Sequence, residues 1–307
     1  MTGDQPPAST VRSTVTLLDV VAAVVRGMRP AQWTKNGLVL AGLVFGGKLL
    51  DAYAVGLAVA AVFVFCLVSG GFYLINDVRD IEADRLHPGK RIRPVASGEL
   101  APSLAFTVGL ALIAVAIAGA AVINAPLLLI VLGYAGLSAA YNLGLKDVVI
   151  VDVFAIACGF MLRAVAGAVA VDVSISPWLL AVTMMLALLI GFGKRRYELI
   201  SLPNATSHRR NLETYSRPML DQFVTLAAAG TLISYTIYAL DGNNVAHDPR
   251  FILTAPVVAF GIFRYLLVLY QHGQGGAPET LLLTDRPLLI AVLIWALLSA
   301  TLIYLPR

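Results

Sequence analysis

Long apolar runs separated by short polar loops occupy the chain from residue 37 almost to its C-terminus. About 20 consecutive apolar residues are enough for a helix to cross a bilayer. Nine runs approach or reach that length: 37–50, 54–75, 102–122, 126–143, 148–170, 176–193, 220–240, 251–270 and 287–305. The pattern predicts an all-α integral membrane protein with nine transmembrane helices, although the first run is short and contains Lys48 near its end.

The loops between these runs are too short to hold a separate soluble domain. We therefore expect residues 1–307 to form a single polytopic membrane domain, with an N-terminal segment over 1–35 and a nine-helix bundle over 36–307. Within the N-terminal segment, residues 15–28 carry an amphipathic pattern, which predicts an interfacial helix lying on the cytoplasmic membrane surface. Its apolar face is formed by Leu17, Leu18, Val21, Val24, Val25 and Met28.

Composition agrees with a membrane protein, because 59% of the residues are hydrophobic, only 13% are charged and the mean hydropathy is +0.83. Soluble domains carry about 25% charged residues. A cytoplasmic N-terminus places 17 of the 22 lysines and arginines on the cytoplasmic side, 3 on the opposite side and 2 within apolar runs. That asymmetry follows the positive-inside rule. It predicts a multi-pass plasma-membrane protein with its active site facing the cytoplasm, and it argues against nucleic acid as a partner.

Three aspartates follow the second run, at positions i, i+3 and i+7: Asp77, Asp80 and Asp84. On one continuous helix they would lie within about 60° of each other. Carboxylates at that spacing repel one another unless a cation joins them. Mg²⁺ binds oxygen ligands and is usually held by one or two carboxylates together with substrate phosphates. We therefore expect these three residues to be metal ligands and catalytic residues, with Mg²⁺ as the cofactor.

Basic side chains follow these aspartates directly: Arg85, His87, Lys90, Arg91 and Arg93. Carboxylates followed by a basic cluster suit a metal-bound diphosphate, because guanidinium and ammonium groups can bind the remaining oxygens. A solvated loop whose charges only set the topology is the alternative for each basic residue. His87 by itself is more typical of a loop residue than of a ligand.

The sequence Asn76-Asp77-x-x-Asp80-x-x-x-Asp84, followed by Lys90-Arg91-Ile92-Arg93-Pro94, resembles the signature of the UbiA superfamily of intramembrane prenyltransferases. Similarity extends to Arg29-Pro30-x-Gln32-Trp33-x-Lys35-Asn36 and to the segment from Tyr141 to Lys146. The resemblance implies a UbiA-type helical bundle around a cavity that is open to lipid and capped by cytoplasmic loops. It also makes a homotrimer a possible assembly.

One departure from the superfamily pattern lies after the sixth run. Typical prenyltransferases carry a second aspartate motif there, whereas this chain has Lys194-Arg195-Arg196-Tyr197-Glu198. That variant looks like the branch of decaprenyl-phosphate phosphoribosyltransferases. The resemblance implies phosphoribosyl pyrophosphate as donor, a polyprenyl phosphate as acceptor and a product for cell-wall arabinan synthesis. Prenyl transfer to an aromatic or lipid acceptor is the alternative enzyme, and a transporter is a third possibility.

The remaining candidates are expected to bind substrate. Lys146, Lys194, Arg195 and Arg196 are candidates for the ribose 5-phosphate or the lipid phosphate. Arg163 lies in an apolar run, and a buried arginine in a membrane span is a functional-site candidate; for it and for Arg264 a structural ion pair is the alternative. The other substrate-binding candidates are Lys35, Asn36, Tyr73, Asn76, Arg79, Arg85, Lys90, Arg91, Arg93, Tyr141, Asp152, Tyr197 and Glu198.

Overall fold

The computed structural model describes residues 16–201, 210–241, 249–271, 281 and 284–304, and this part of the chain contains helices and no strand. The α-helices are α1 (Leu17–Gly27), α2 (Ala41–Phe45), α3 (Ala52–Arg79), α4 (Ile81–Leu86), α5 (Pro94–Ser97), α6 (Pro102–Ile123), α7 (Ala125–Leu143), α8 (Val151–Ala170), α9 (Pro177–Ser201), α10 (Arg217–Leu240), α11 (Ala255–Gln271) and α12 (Arg286–Tyr304). Short 3₁₀ helices cover Pro30–Leu40, Leu145–Asp147, Arg210–Glu213 and Pro249–Thr254.

Eight helices in the described ranges are long and apolar enough to cross a membrane: α3, α6, α7, α8, α9, α10, α11 with the 3₁₀ turn before it, and α12. Their most apolar windows have mean hydropathies between 1.5 and 2.5. Eight of the nine predicted runs therefore form long apolar helices, and the protein is an all-α multi-pass membrane protein.

The first predicted run, 37–50, does not form a long α-helix. Residues 30–40 form a 3₁₀ helix and residues 41–45 a five-residue α-helix, which together we call the 30–45 segment. Close packing against α8 accompanies this geometry, since a Cβ on Gly167 would lie 1.7 Å from the Val39 carbonyl oxygen. A Cβ on Gly42 would lie 2.4 Å from the Ala168 nitrogen. The two backbones are thus in direct contact.

The 30–45 segment nevertheless reaches from one end of the bundle to the other. At about 2.0 Å per 3₁₀ residue and 1.5 Å per α-helical residue it is about 30 Å long, which equals the hydrocarbon thickness of a bilayer. Arg29, just before it, contacts Asp77 at the C-terminal end of α3. The Val44 carbonyl accepts a hydrogen bond of 2.8 Å from Tyr304 at the C-terminal end of α12. The protein has nine membrane crossings only if this segment is one of them, so the count of nine stays a prediction.

Antiparallel neighbours bring the polar helix ends together at one end of the bundle. The C-terminal ends of α3, α7, α9 and α11 lie there with the N-terminal ends of α6, α8, α10 and α12, as the contacts of Asp80 with Lys146, of Arg195 with Asp152 and of Arg196 with Asp221 show. We call this the aspartate end. Small residues allow the helices to approach, as where a Cβ on Gly71 of α3 would lie 2.6 Å from the Gly109 carbonyl oxygen of α6.

The predicted amphipathic helix is present as α1. Leu17, Leu18 and Val21 are exposed, whereas Ala23 is buried and Gly27 packs against Leu74 of α3. An exposed apolar face suits contact with lipid. The placement of α1 in the membrane interface stays a prediction, as does the organisation of the whole chain as one domain.

Candidate active site

The three aspartates do not lie on one continuous helix, so that part of the prediction is wrong. Helix α3 ends at Arg79, and Asp80 has φ −94° and ψ 13°, outside α-helical geometry, before α4 begins. The break lies between Asp77 and Asp84, and both of these carboxylates contact the same guanidinium, that of Arg93. A shared cation compensates the repulsion between two buried carboxylates.

Basic side chains from three parts of the chain pair with the aspartates. Arg93 Nη1 lies 3.2 Å from Asp77 Oδ1 and 2.6 Å from Asp84 Oδ2. Lys146 Nζ donates to both carboxylate oxygens of Asp80, at 2.9 and 3.0 Å. Arg29 also donates to Asp77 Oδ1. The aspartate end is therefore a compact cluster of alternating charges rather than a bare acidic patch.

Arg29 is a site residue that the candidate list missed. Its backbone is left-handed, with φ 55°, which is uncommon for a residue other than glycine. This turn directs the chain from α1 into the 30–45 segment while the guanidinium contacts Asp77 and stacks 4.7 Å from the centre of the Tyr73 ring. Its only sequence signal is its place at the start of the segment Arg29-Pro30-x-Gln32-Trp33, which shares in the family resemblance.

The carboxylates can be compared with the ligands that Mg²⁺ needs. Asp77 Oδ2 is buried and has no hydrogen-bond partner among the residues that the structure describes, which is a costly state for a carboxylate oxygen. Asp84 lies on the other side of the shared Arg93. Within the described ranges no three acidic, histidine or cysteine side chains are grouped closely enough to hold a metal ion. The arrangement fits an ion held by two carboxylates and completed by substrate oxygens, and it does not place Asp80 with the other two.

The remaining basic residues near the aspartates have other contacts. Arg85 donates to the Ala96 carbonyl and to Glu82, both at 3.3 Å, and Arg79 donates to the Leu143 carbonyl at 3.4 Å. Arg91 is exposed to solvent. These contacts suit loop stabilisation and topology for Arg79 and Arg85. The other substrate-binding candidates that are half-buried are Lys35, Tyr73, Asn76, Lys90 and Tyr141.

Two of the three basic residues of α9 are bound by protein carboxylates. Arg195, 2% exposed, donates to Asp152 Oδ2 at 2.8 Å and to Glu198 Oε2 at 2.7 Å. Arg196 donates to Asp221 Oδ1 at 2.5 Å and stacks on Tyr270. Lys194 is half-buried and has no ion pair with any residue that the structure describes, and Tyr197 is half-buried beside it.

Tyr215 supports the Arg195 pair from outside the membrane-spanning helices. Its hydroxyl accepts a hydrogen bond of 2.6 Å from the Ile150 nitrogen and donates to Asp152 Oδ1 at 3.4 Å. Burial raises the pKa of Tyr215 to about 12, so the hydroxyl is protonated at neutral pH and can donate to Asp152. Neither Tyr215 nor Asp221 was predicted as a site residue. Tyr215 ends the segment Leu212-Glu213-Thr214-Tyr215, which shares in the family resemblance, but its contact with Asp152 spans 63 residues.

The model of the UbiA prenyltransferase family matches residues 37–280, which include the aspartates, the 141–146 segment and the basic part of α9. The chain belongs to the UbiA prenyltransferase family. The fold agrees, because a UbiA homolog from Archaeoglobus fulgidus, solved with GPP and Mg²⁺ bound, superposes with a TM-score of 0.70 over 92% of this chain and 100% of that one, at 17% identity.

Curated relatives are closer in sequence than this UbiA structure. The chain is 34% identical over 296 residues to decaprenyl-phosphate phosphoribosyltransferase of Mycobacterium tuberculosis, covering 95% of this chain and 94% of that protein. It is 34% identical over 289 residues to the enzyme of the same name from Corynebacterium glutamicum, covering 92% and 87%. These similarities confirm the superfamily and the branch that the sequence resembles.

Arg163 in α8 and Arg264 in α11, the two arginines within apolar runs of the sequence, both have partners in the structure. Arg163 donates to Asn36 Oδ1 and the Tyr134 hydroxyl, both at 2.8 Å, and to the Gly159 carbonyl at 2.9 Å. Arg264 forms a bidentate ion pair with Asp285, in which Nε lies 3.0 Å from Oδ1 and Nη2 lies 2.8 Å from Oδ2. The structural alternative thus holds for Arg264, while Arg163 joins a network of neutral partners that includes the candidate Asn36.

Proposed function

We propose that this protein transfers the 5-phosphoribosyl group from phosphoribosyl pyrophosphate to decaprenyl phosphate in a Mg²⁺-dependent reaction, for the synthesis of a cell-wall arabinan precursor. The observation that carries the proposal is the 34% identity, over 95% of the chain, to a protein named decaprenyl-phosphate phosphoribosyltransferase. Lys194 of α9, which has no ion pair with the described residues, supports it, because a second phosphorylated substrate needs a cationic group beyond those that pair with the aspartates.

In this reaction the bond from ribose C1 to the diphosphate oxygen breaks, and its electron pair leaves with the diphosphate. An oxygen of the lipid phosphate forms the new bond to C1. A phosphate monoester is already anionic at neutral pH, because its second pKa is near 6, so no strong general base is required. The residues therefore act mainly by holding two anions together and in line, which lowers the entropic part of the barrier.

Asp77 and Asp84 are proposed to hold Mg²⁺, which would neutralise charge that develops on the departing diphosphate. Arg29 and Arg93 contact these carboxylates, and Lys146 contacts the neighbouring Asp80. These three cations are proposed to bind the diphosphate oxygens. Such fixed cations stabilise the leaving group without reorganising during the reaction. Asp80 is proposed to pair with Lys146 rather than to hold Mg²⁺, because its carboxylate accepts hydrogen bonds from the Lys146 ammonium group.

Lys194 is proposed to bind the ribose 5-phosphate or the lipid phosphate. Arg195 and Arg196 are proposed as positioning residues, since their guanidinium groups tie α9 to α8 and α10. We further propose a plasma-membrane location with the N-terminus and the aspartate end in the cytoplasm. A homotrimer remains a prediction from the family resemblance.

The test is transfer of radiolabel from phosphoribosyl pyrophosphate into the lipid phase by the purified protein with Mg²⁺ and decaprenyl phosphate. We expect Asp77→Asn to lower the rate by about 100-fold or more, as removal of one preorganised electrostatic group typically does. Asp51→Asn is the matched control, because Asp51 caps the opposite end of the same helix and asparagine caps equally well. Parallel reactions offer a prenyl diphosphate with aromatic acceptors. Prenylated product there, without ribosylated lipid, would replace this proposal with prenyl transfer.

A further inference from the structure

The three aspartates are balanced in charge by the basic side chains paired with them. Three carboxylates, those of Asp77, Asp80 and Asp84, are paired with three cations, those of Arg29, Arg93 and Lys146. A free divalent cation entering this cluster would leave an excess of two positive charges in a partly buried site, which is unfavourable. A metal ion that arrives together with a diphosphate brings compensating negative charge, and its oxygens offer the basic side chains new partners.

The three ion pairs differ in how easily they can open. Arg93 is held by two carboxylates that are 1% and 3% exposed, and Arg29 also stacks on Tyr73. Asp80, in contrast, is 30% exposed and lies at the break between α3 and α4. Its partner is an ammonium group on a flexible stem, which can be redirected more readily than a guanidinium fork. The pair of Asp80 with Lys146 is therefore the one that can exchange.

We propose that Lys146 is an exchangeable counterion that couples metal binding to diphosphate binding. Without substrate its ammonium group neutralises Asp80 and disfavours a free divalent ion. When the metal–diphosphate unit binds, the ammonium would move to a diphosphate oxygen, and the charge of the metal would compensate Asp80 in its place. The site thus selects the metal–diphosphate complex over the free metal. The assignment of that diphosphate to phosphoribosyl pyrophosphate rests on the proposed function.

Coupling of this kind is reciprocal, so each ligand strengthens the binding of the other by the same factor, typically 5-fold to 150-fold. The experiment uses electron paramagnetic resonance to titrate Mn²⁺ into the full-length protein in detergent, with and without inorganic diphosphate. Protein-free titrations correct for Mn²⁺ complexed by diphosphate in solution. For the wild type we expect diphosphate to tighten Mn²⁺ binding by about tenfold.

Lys146→Gln should bind free Mn²⁺ about tenfold more tightly than the wild type and should lose most of the enhancement by diphosphate. Lys146→Arg keeps the charge and should keep free Mn²⁺ binding weak, which separates loss of charge from loss of fold. Arg26→Gln is the matched control, because Arg26 pairs with exposed Glu99 and contacts none of the three aspartates. It should behave as the wild type.

Equal Mn²⁺ affinity with and without diphosphate in the wild type would overturn the proposal. So would a Lys146→Gln variant that elutes as a folded protein and binds free Mn²⁺ no more tightly. The proposed function fails separately. If Mn²⁺ and diphosphate bind cooperatively but no phosphoribosyl group is transferred, Lys146 keeps its proposed role and the assignment of the donor is wrong. If phosphoribosyl transfer occurs but Mn²⁺ and diphosphate bind independently, the proposed function holds and the role of Lys146 is wrong.

Discussion

Adjacent basic residues in α9 differ in role because their neighbours in space differ. Arg195 finds its carboxylate on Asp152, 43 residues earlier in the chain, and Arg196 finds Asp221, 25 residues later. A buried arginine whose charge is satisfied in this way is a structural element, and breaking such a pair costs about 3–5 kcal/mol. Lys194, the residue before Arg195, has no ion pair with the described residues, so its charge is available for a phosphate.

This difference predicts a separation of binding from stability. Lys194→Gln should raise KM for one of the two substrates by about tenfold, the effect of losing about 1.4 kcal/mol of binding, with little change in thermal stability. Arg195→Gln should instead lower the melting temperature, because Asp152 would be left buried and unpaired. KM for each substrate and the thermal unfolding of both variants in detergent decide the matter. A Lys194→Gln protein with unchanged KM for both substrates would remove this residue from the site.

The sequence indicated the aspartates and the surrounding cations because acids followed by bases form a compact, chemically distinctive segment. Arg93 and Lys146 contact the aspartates as that chemistry suggests, and both were among the candidates. The ion pairs of Arg195 and Arg196 could not be predicted from the sequence, because the partner carboxylates lie on other helices. The same limit applies to Arg29, whose contact with Asp77 spans 48 residues.

At the scale of elements, hydrophobicity predicted the long helices well and the 30–45 segment poorly. Length and apolar content determine whether a helix can cross a membrane, and eight helices meet both conditions. The 3₁₀ winding of the 30–45 segment goes together with the close approach of its backbone to α8 at Gly167. The hydrophobicity of residues 37–50 carries no information about that contact, because the contact depends on a glycine in another helix.

Gly167→Ala should therefore destabilise the protein and lower its activity. The new methyl group would lie 1.7 Å from the Val39 carbonyl oxygen, so the 30–45 segment must shift, and with it Arg29 beside the aspartates. Overpacking of this kind costs about 1–3 kcal/mol. Gly136→Ala is the matched control in α7, because its added methyl group meets nothing within 4 Å. Thermal unfolding and phosphoribosyl transfer should both separate the two variants, and equal behaviour would show that the close contact is not rigid.

At the scale of the whole molecule, the end of the bundle where the aspartates lie is also the end where most of the basic residues lie. The aspartate end holds the cations that pair with Asp77, Asp80 and Asp84, and most of the chain's lysines and arginines belong to the loops on that side. Phosphoribosyl pyrophosphate is a charged metabolite that does not cross a bilayer unaided. A donor site at this end is therefore useful only when the end faces the compartment that makes the donor.

Cysteine labelling tests this orientation with two positions of equal exposure. Leu50, before α3, and Leu86, at the end of α4 on the aspartate side, are both 86% exposed. In a background with Cys66 and Cys158 replaced by serine, a membrane-impermeant maleimide should label Leu50→Cys in intact spheroplasts and Leu86→Cys only in inverted vesicles or after permeabilisation. The equal exposure means that a difference in labelling reports the side of the membrane rather than access within the fold. The reverse pattern would place the aspartate end outside and would require an extracellular donor. Labelling of both positions from one side would mean that α3, the only long helix between them, does not cross the membrane.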